Sequence, residues 1–223
     1  KCRKALERLS EMPNVAVLTE TISNMRSPRF ISAIDRTLIA MDDTEDFVPD
    51  LLITIGGAIV SRMVKTFLRQ NKPRHQWYVG VSDVTVDCMQ SLTTRIQTDA
   101  GSFLAQFADA YCPLKEDGDF AERWHSLAAK GLARHCIYVQ NAPWSDMKAH
   151  SVIFKKLSEQ NRSIMLQFSN GTTIRYAQLF GDLVKADNYC NRGVSGIDGS
   201  TSTALGASLA FYGLTVLITG DMS

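Results

Sequence analysis

The chain has 223 residues, of which 45% are hydrophobic, and 24 basic side chains against 23 acidic ones leave a net charge of +1. A chain of this length fits one large domain or two of about 100–150 residues, and either can bury a core without disulfides or metals. The near-neutral charge argues against binding to nucleic acid or to a membrane surface, and no apolar run approaches the roughly 20 residues of a membrane span.

Short apolar runs alternate with amphipathic stretches in the first two-thirds of the chain. Residues 15–18, 50–55 and 77–81 are runs of β-formers bounded by Pro, Gly, Asn or Asp, which is typical of buried parallel strands. Residues 59–70 repeat apolar side chains at helical spacing and place Arg62 on the opposite, charged face. Strands that alternate with such helices predict an α/β fold with a parallel, Rossmann-like sheet.

A glycine pair, Gly56 and Gly57, closes the second of these runs and precedes the predicted helix. Parallel sheets bind ligands at this position, between the carboxyl end of a strand and a helix N-terminus. A tight turn that binds nothing requires glycine just as much, so both interpretations stand for this pair.

A long helix is predicted over residues 119–139, and the Pro in the sequence 141–143 ends it. We place a domain junction between residues 113 and 145. This junction divides the chain into a first segment, residues 1–140, and a second segment, residues 141–223.

Five cysteines are scattered along the chain without any Cys-x-x-Cys pair. Disulfide frameworks and zinc sites need closer or matched spacings, so we expect reduced thiols and a cytoplasmic protein. His125, His135 and Cys136 lie near one another, but their spacing matches no metal-ligand set, and structural or surface roles are favoured.

The second segment repeats the strand-and-helix pattern. Ser145 or Asp146 is placed to cap its first helix. The predicted apolar face of that helix consists of Ala149, Val152, Ile153 and Leu157. A strand over residues 163–168, a turn and a helix over residues 172–183 follow, as in the first βα units of a second parallel α/β domain.

Glycine is concentrated at the end of the chain. Residues 191–223 contain six of the 14 glycines, and the charged residues among them are Arg192, Asp198 and Asp221. Glycine lets main-chain amides approach a ligand, and hydroxyls at a helix start offer further donors to an anion. We interpret this stretch as a buried, glycine-lined site, in which Asp198 is expected to cap a helix that starts at Gly199.

The last predicted strand runs into Gly220-Asp221-Met222-Ser223. An Asp that follows a Gly at the carboxyl end of a parallel strand is well placed to hold a hard divalent cation bridging a diphosphate. This tetrapeptide resembles the opening, Gly-Asp-x-Ser, of the signature of thiamine-diphosphate enzymes.

A longer string makes the resemblance more specific. Residues 191–199 read Asn-Arg-Gly-Val-Ser-Gly-Ile-Asp-Gly, and Ser-Thr-Ala follows at 202–204. The string resembles one family of thiamine-diphosphate enzymes, the 2-succinyl-5-enolpyruvyl-6-hydroxy-3-cyclohexene-1-carboxylate (SEPHCHC) synthases of menaquinone biosynthesis.

An upstream segment matches the same family. Asn170 and Arg175 stand at the spacing of the family's Asn-Ser-x-x-x-Arg segment. Gly171 stands where the family usually has Ser, so a hydroxyl contact to substrate would have to come from Ser169 or Thr172.

The resemblance implies a subunit with a pyrimidine-binding, a central and a diphosphate-binding domain. Residues 1–140 would be the central domain, and residues 141–223 would be the truncated start of the diphosphate-binding domain. The chain lacks an initiator Met and stops inside the signature. We therefore expect a piece of a longer enzyme, inactive alone because the first domain and its cofactor-activating glutamate are missing. The whole enzyme would be a homodimer or homotetramer.

The resemblance also implies the reaction and the roles of individual residues. SEPHCHC synthases decarboxylate 2-oxoglutarate and add the succinyl-semialdehyde carbanion to isochorismate, with thiamine diphosphate as cofactor. Asp221 would bind Mg²⁺ or Mn²⁺. The cofactor would be contacted by Ser195, Ile197, Gly220, Asp221 and Ser223. The substrates, through their carboxylates, would be bound by Arg175, Arg192, Asn170 and Arg62.

Two alternatives remain open from the sequence. The chain is also compatible with a non-catalytic α/β module that binds a small ligand or regulator and uses its glycines only for packing. It is also compatible with another thiamine-diphosphate decarboxylase or synthase, although the string at 191–199 argues against this.

Overall fold

A computed structural model describes residues 1–84, 87–113, 118–181 and 183–221 of the chain. Its helices are α1 (Cys2–Leu9), α2 (Ile34–Ile39), α3 (Arg62–Gln70), α4 (Ala100–Ala110), α5 (Phe120–Asn141), α6 (Asp146–Ser158), α7 (Thr172–Phe180) and α8 (Ser200–Ala210). Its strands are β1 (Val17–Leu18), β2 (Phe30–Ile31), β3 (Leu51–Ile55), β4 (His75–Gly80), β5 (Thr94–Gln97), β6 (Ile164–Phe168), β7 (Asp187–Cys190) and β8 (Leu214–Ile218).

Every strand pair in the described residues is parallel, which confirms the predicted α/β class. The strands form a pair β1-β2, a sheet in the order β3-β4-β5 and a second sheet in the order β7-β6-β8. In the second sheet Phe168 at the end of β6 is in register with Cys190 of β7 and with Ile218 of β8. The carboxyl ends of these three strands therefore meet at one edge of the sheet.

Most predicted elements are confirmed with shifted ends. The helix predicted over residues 59–70 begins at Arg62, because Ser61 is its N-cap and its hydroxyl accepts the Val64 N–H at 3.0 Å. The helix predicted to reach residue 183 ends at Phe180, since Gly181 adopts a φ of +57° that stops a right-handed helix.

The prediction for α6 is correct at its cap and only partly correct at its apolar face, where Leu157 packs on the core and Ala149 is partly buried. Ser145 caps the helix by accepting the Lys148 N–H at 3.4 Å. The buried side chains of α6 are Met147, His150 and Phe154, whereas Val152 and Ile153 are exposed. The predicted face did not include His150, whose Nδ1 donates to the Asp146 carbonyl at 2.7 Å and so allows the ring to be buried.

Three apolar clusters form the core. One lies around β6 and α7, a second joins α2, α3 and α5, and a third joins α1 and α4. Val60, which precedes α3, packs in the cluster around β6, so the two segments of the chain share a buried contact.

All five cysteines are free. Among the described residues, no helix combines the length and the apolar character needed to cross a membrane.

Asp87 organises the loop between β4 and β5. Its carboxylate accepts the N–H groups of Met89 at 3.2 Å, Gln90 at 2.8 Å and Leu92 at 3.0 Å. Partial burial acts to raise the pKa of Asp87, but the backbone N–H groups of residues 89–92 outweigh it and the pKa is lowered. The loop is therefore held most firmly when Asp87 is ionised.

We expect Asp87→Ala to reduce the free energy of unfolding at pH 7 by about 1 kcal/mol, since the loop loses its acceptor. The folded-state pKa is depressed, so this contribution is complete above the ordinary aspartate value of 3.8 and is lost as the pH falls below it. Urea unfolding across this pH range measures it. Asp83→Ala, an exposed aspartate of the same loop, is the control, and a difference independent of pH would contradict the assignment.

Candidate functional site

The candidate site lies at the edge of the second sheet where β6, β7 and β8 end. The backbone N–H of Ser169 donates to the Ile218 carbonyl at 3.0 Å, and the N–H of Gly220 donates to the Ser169 hydroxyl at 3.3 Å. Ser169 is completely buried. These bonds tie the turn after β6 to the turn after β8, which carries Asp221.

Asn170 is the centre of the site and is 6% exposed. Its Oδ1 accepts from Arg192 Nη1 at 2.6 Å and from the Cys190 thiol at 3.4 Å, while its Nδ2 donates to the carbonyls of Asn191 at 2.7 Å and Gly196 at 2.6 Å. These four contacts use both N–H groups and both acceptor positions of the amide. Asn170 therefore fixes Arg192 and residues 191–199, here called the glycine loop, to the end of β6.

Arg192 is the half-buried cation of the site. One of its terminal nitrogens is held by Asn170, whereas its Nε is buried and has no hydrogen-bond partner in the described part of the chain. A guanidinium offers N–H donors in a fork that matches a carboxylate. The free Nε donor is therefore consistent with an anionic ligand.

The glycine loop is exposed, which corrects the prediction of a buried site. Gly193, Gly196 and Gly199 are exposed, Val194 is 95% exposed, and Ile197 is also exposed. The small number of charged residues in residues 191–223 had predicted that this loop is buried. The loop instead keeps its shape through hydrogen bonds to Asn170, because glycines offer no side chains with which to pack.

The start of α8 also differs from the prediction, because Asp198 is not its cap. Gly199 is the N-cap, with a φ of +79°, and no side chain accepts a hydrogen bond from the first turn. Asp198 lies one position too early in the chain for this role. Exposed hydroxyl residues, Thr201, Ser202 and Thr203, begin the helix. This helix end therefore offers N–H and hydroxyl donors to an anion.

Ser195 and Asp221 are exposed at the same edge of the sheet. Ser195 has a φ of +56°, an uncommon value for a residue other than glycine, and its hydroxyl donates to the Arg192 carbonyl at 3.4 Å. Gly220, which precedes Asp221, has open space where a Cβ would stand.

No group of three His, Cys, Asp or Glu side chains is placed to hold a metal in the described ranges. Ser223, a predicted cofactor contact, lies outside the described residues.

Gly171 has a structural reason to replace the usual Ser. Its φ of +98° and ψ of −135° lie in a region that glycine adopts readily and other residues rarely do. Of the two suggested substitutes, Ser169 is buried and accepts from Gly220, whereas Thr172 is exposed. The accessible hydroxyl of this turn is therefore that of Thr172.

Arg175 and Arg62 are less closely joined to the cluster. Arg175 is exposed in the first turn of α7, and Arg62 is the exposed first residue of α3. Within the ranges that the structure describes, neither forms a hydrogen bond or ion pair with Asn170 or Arg192. The structure thus brings Asn170, Arg192, the glycine loop and Gly220 together, and leaves these two arginines as surface cations.

Glu20, a carboxylate that interacts electrostatically with Arg192, was not predicted from the sequence. Glu20 accepts the N–H groups of Val60 at 2.9 Å and Ser61 at 2.7 Å, directly before Arg62. Burial raises the pKa of Glu20, while those two N–H groups and the Arg192 charge act to lower it. The one feature of the sequence that could have indicated this role is the position of Glu20, a single carboxylate just after the apolar run at 15–18.

Comparison with known proteins gives one consistent result. No protein-family model matches the chain. Curated proteins from Porphyromonas gingivalis, Flavobacterium psychrophilum and Christiangramia forsetii are 37%, 38% and 38% identical over 226, 222 and 230 residues. These alignments cover 98%, 98% and 99% of the chain but 39%, 39% and 38% of the relatives, so the chain spans about two-fifths of their length. All three are named 2-succinyl-5-enolpyruvyl-6-hydroxy-3-cyclohexene-1-carboxylate synthase.

Proposed function

The chain belongs to the SEPHCHC synthase family, and on this premise we propose that it is a segment of a longer thiamine-diphosphate-dependent transferase of menaquinone biosynthesis. The enzyme would decarboxylate 2-oxoglutarate and join the remaining succinyl-semialdehyde unit to isochorismate. Residues 1–140 would be its central domain and residues 141–223 the first part of its diphosphate-binding domain. We propose a cytoplasmic homodimer or homotetramer, and no activity for the chain alone.

One observation carries this proposal: the cluster of Asn170, Arg192 and the glycine loop at the carboxyl edge of the second sheet. Ligands of open parallel sheets bind at this edge. The 2.6 Å bond between Arg192 Nη1 and Asn170 Oδ1 leaves the Arg192 Nε free for an acceptor. Both proposed substrates are dicarboxylates, which suit such a guanidinium.

The residues at this edge fit a diphosphate cofactor. The uncapped first turn of α8 would donate to the diphosphate, and Asp221 would hold the Mg²⁺ or Mn²⁺ that accompanies it, since both are oxygen-seeking cations. Ser195, Ile197, Gly220 and Ser223 complete the proposed cofactor contacts. When bound, thiamine diphosphate supplies the carbanion chemistry that decarboxylation and carbon–carbon bond formation require.

This chain's own contribution would be to bind and orient the substrates. Arg192 would receive a carboxylate from its fixed position beside Asn170. Arg175 and Arg62, both exposed, would add further positive charge, and Thr172 would offer the hydroxyl that Gly171 lacks. Asn170 would act mainly through Arg192, because a direct contact with substrate would replace one of its four internal hydrogen bonds.

The test is an assay of the complete enzyme that contains this segment, with 2-oxoglutarate, isochorismate, thiamine diphosphate and Mg²⁺ or Mn²⁺. We expect SEPHCHC as product, and none from the 223-residue chain alone. In the complete enzyme, Asp221→Ala should raise the metal concentration for half-maximal activity by at least about tenfold. Asp43→Ala, an exposed aspartate remote from the site, is the control.

Each part of this proposal has its own contradicting result. Absence of product from the folded complete enzyme would refute the reaction. Product from the chain alone would refute its assignment as an incomplete segment. An Asp221→Ala enzyme with unchanged metal dependence would refute the metal role of Asp221.

A further inference from the structure

Glu20 lies two residues after the end of β1 and holds the start of α3 in place. Its two carboxylate oxygens accept one N–H each, from Val60 at 2.9 Å and from Ser61 at 2.7 Å. Val60 is 4% exposed and Ser61 is 1% exposed, so water cannot easily replace these acceptors. Arg62 is the next residue, and its main chain is therefore held through Ser61.

The Ser61 hydroxyl extends this arrangement to α2 and to the interior of α3. It donates to the Asp35 carboxylate and accepts the Val64 N–H at 3.0 Å. Glu20, Ser61 and Asp35 thus join β1, α2 and the first turn of α3. The arrangement needs both carboxylates as acceptors, because each of them faces an N–H or O–H donor.

Charged groups on three elements lie close enough to interact electrostatically with one another through Glu20. Glu20 follows β1, Asp35 belongs to α2, and Arg192 lies on the glycine loop. Burial raises the pKa of Glu20; its two backbone hydrogen bonds and Arg192 act in the opposite direction, and the like charge of Asp35 raises it further. The two N–H groups and Arg192 therefore favour the ionised carboxylate, but burial and Asp35 outweigh them and the pKa of Glu20 is raised.

We propose that Glu20 is a positioning residue of the substrate site, which holds the first turn of α3 and, through Ser61, the main chain of Arg62. This inference rests on the proposed function. Glu20 touches no substrate in this scheme. It acts through the two N–H groups that it accepts and through its charge opposite Arg192.

The Glu20→Gln enzyme is the sharpest test, because a carboxamide has nearly the same shape but only one acceptor oxygen. Its NH₂ group would face one of the two N–H donors, and the negative charge opposite Arg192 would be lost. In the complete enzyme at neutral pH we expect KM for an acidic substrate to rise about tenfold, with kcat changed by less than about threefold. A purely structural role would instead lower the amount of active enzyme, and so kcat, without changing KM.

The pH dependence gives a second readout in the same assay. Protonation of Glu20 in the unmodified enzyme removes the same acceptor and charge that Gln removes. The ratio of the variant's KM to that of the unmodified enzyme should therefore fall toward one as the pH is lowered through the Glu20 pKa. Glu20→Asp, which keeps the charge, should restore part of the lost affinity. Glu11→Gln, an exposed glutamate, is the control for both readouts.

A measurement on the 223-residue chain separates this inference from the proposed function. The folded-state pKa of Glu20 is raised. The unmodified chain should therefore lose stability relative to the Glu20→Gln chain, measured as the difference between their free energies of unfolding, as the pH rises from the ordinary glutamate value of 4.5 through the raised value. The amides of Val60 and Ser61 should also exchange with solvent at least about tenfold faster in the variant.

The outcomes are distinguishable. An inactive complete enzyme refutes the proposed function, while the exchange and stability measurements still test the Glu20 contacts. An active enzyme in which Glu20→Gln leaves KM unchanged, or changes it equally at every pH, overturns the positioning role. If Glu20→Gln fails to fold, the KM of Glu20→Asp decides: an unchanged KM overturns the role, and a raised KM with near-normal kcat supports it.

Discussion

Arg192→Ala is expected to reduce kcat/KM of the complete enzyme by roughly a hundredfold, which corresponds to about 3 kcal/mol. The substitution removes the cation proposed to bind a substrate carboxylate. It also removes the 2.6 Å hydrogen bond to Asn170 Oδ1, which would keep only the weaker contact from the Cys190 thiol. Steady-state kinetics with each substrate varied in turn would show which of the two depends on Arg192.

Two further variants sharpen this result. Arg192→Lys keeps the charge but lacks the planar fork, so we expect only partial recovery. Arg162→Ala, which removes an exposed arginine just before β6, should leave kcat/KM unchanged. The effects of Arg192→Ala and Asn170→Ala should be less than additive, because both break the same contact. An Arg192→Ala enzyme within about threefold of normal would contradict the role, since even one lost charged hydrogen bond costs more.

Gly131→Val is expected to reduce the free energy of unfolding of the chain by about 3 kcal/mol or more. Gly131 lies within α5 where this helix crosses α2. A Cβ at this position would stand 2.7 Å from the Arg36 carbonyl oxygen and 3.3 Å from the Thr37 Cα, which are main-chain atoms that cannot rotate away. The two helices would have to separate, and the cluster around Trp124 would lose packing.

A second helical glycine provides the matched control. Gly206 lies within α8, and in the described part of the chain no atom beyond its neighbours and the backbone of α8 stands within 4 Å of the position that its Cβ would take. Gly206→Val should change the free energy of unfolding by less than about 0.5 kcal/mol, since valine is a slightly better helix former than glycine. Urea unfolding of both variants makes the comparison. Equal effects at the two positions would show that the contact with α2 does not limit stability.

The sequence was sufficient to predict what depends on local pattern. The alternation of apolar runs and amphipathic helices predicted parallel sheets, and the strand predicted over residues 163–168 is β6 within one residue of its start. The turn after β6 and the glycine loop were also singled out. Their contact through Asn170 agrees with the general rule that carboxyl ends of parallel strands meet at one edge.

The sequence was insufficient where distant parts of the chain meet. From the sequence alone Gly131 is only a weak helix former. No neighbouring residue in the sequence predicts that the main chain of Arg36 lies beside it. Glu20 and Ser61 are far apart in sequence, so their hydrogen bond depends on how the first segment folds. The exposed glycine loop was misjudged because composition does not distinguish a backbone held by hydrogen bonds from one that is buried by packing.

The saturated amide of Asn170 limits which side chains position 170 can accept. Aspartate would direct a second oxygen at the carbonyls of Asn191 and Gly196, and these lone pairs would repel. Leucine would fill a similar volume but leave two carbonyls and a guanidinium without partners. Glutamine would place the same amide group one methylene further from the main chain, out of position for the partners of the Asn170 amide. The atoms around this side chain therefore determine its identity, and Asn170 anchors the glycine loop from the turn after β6.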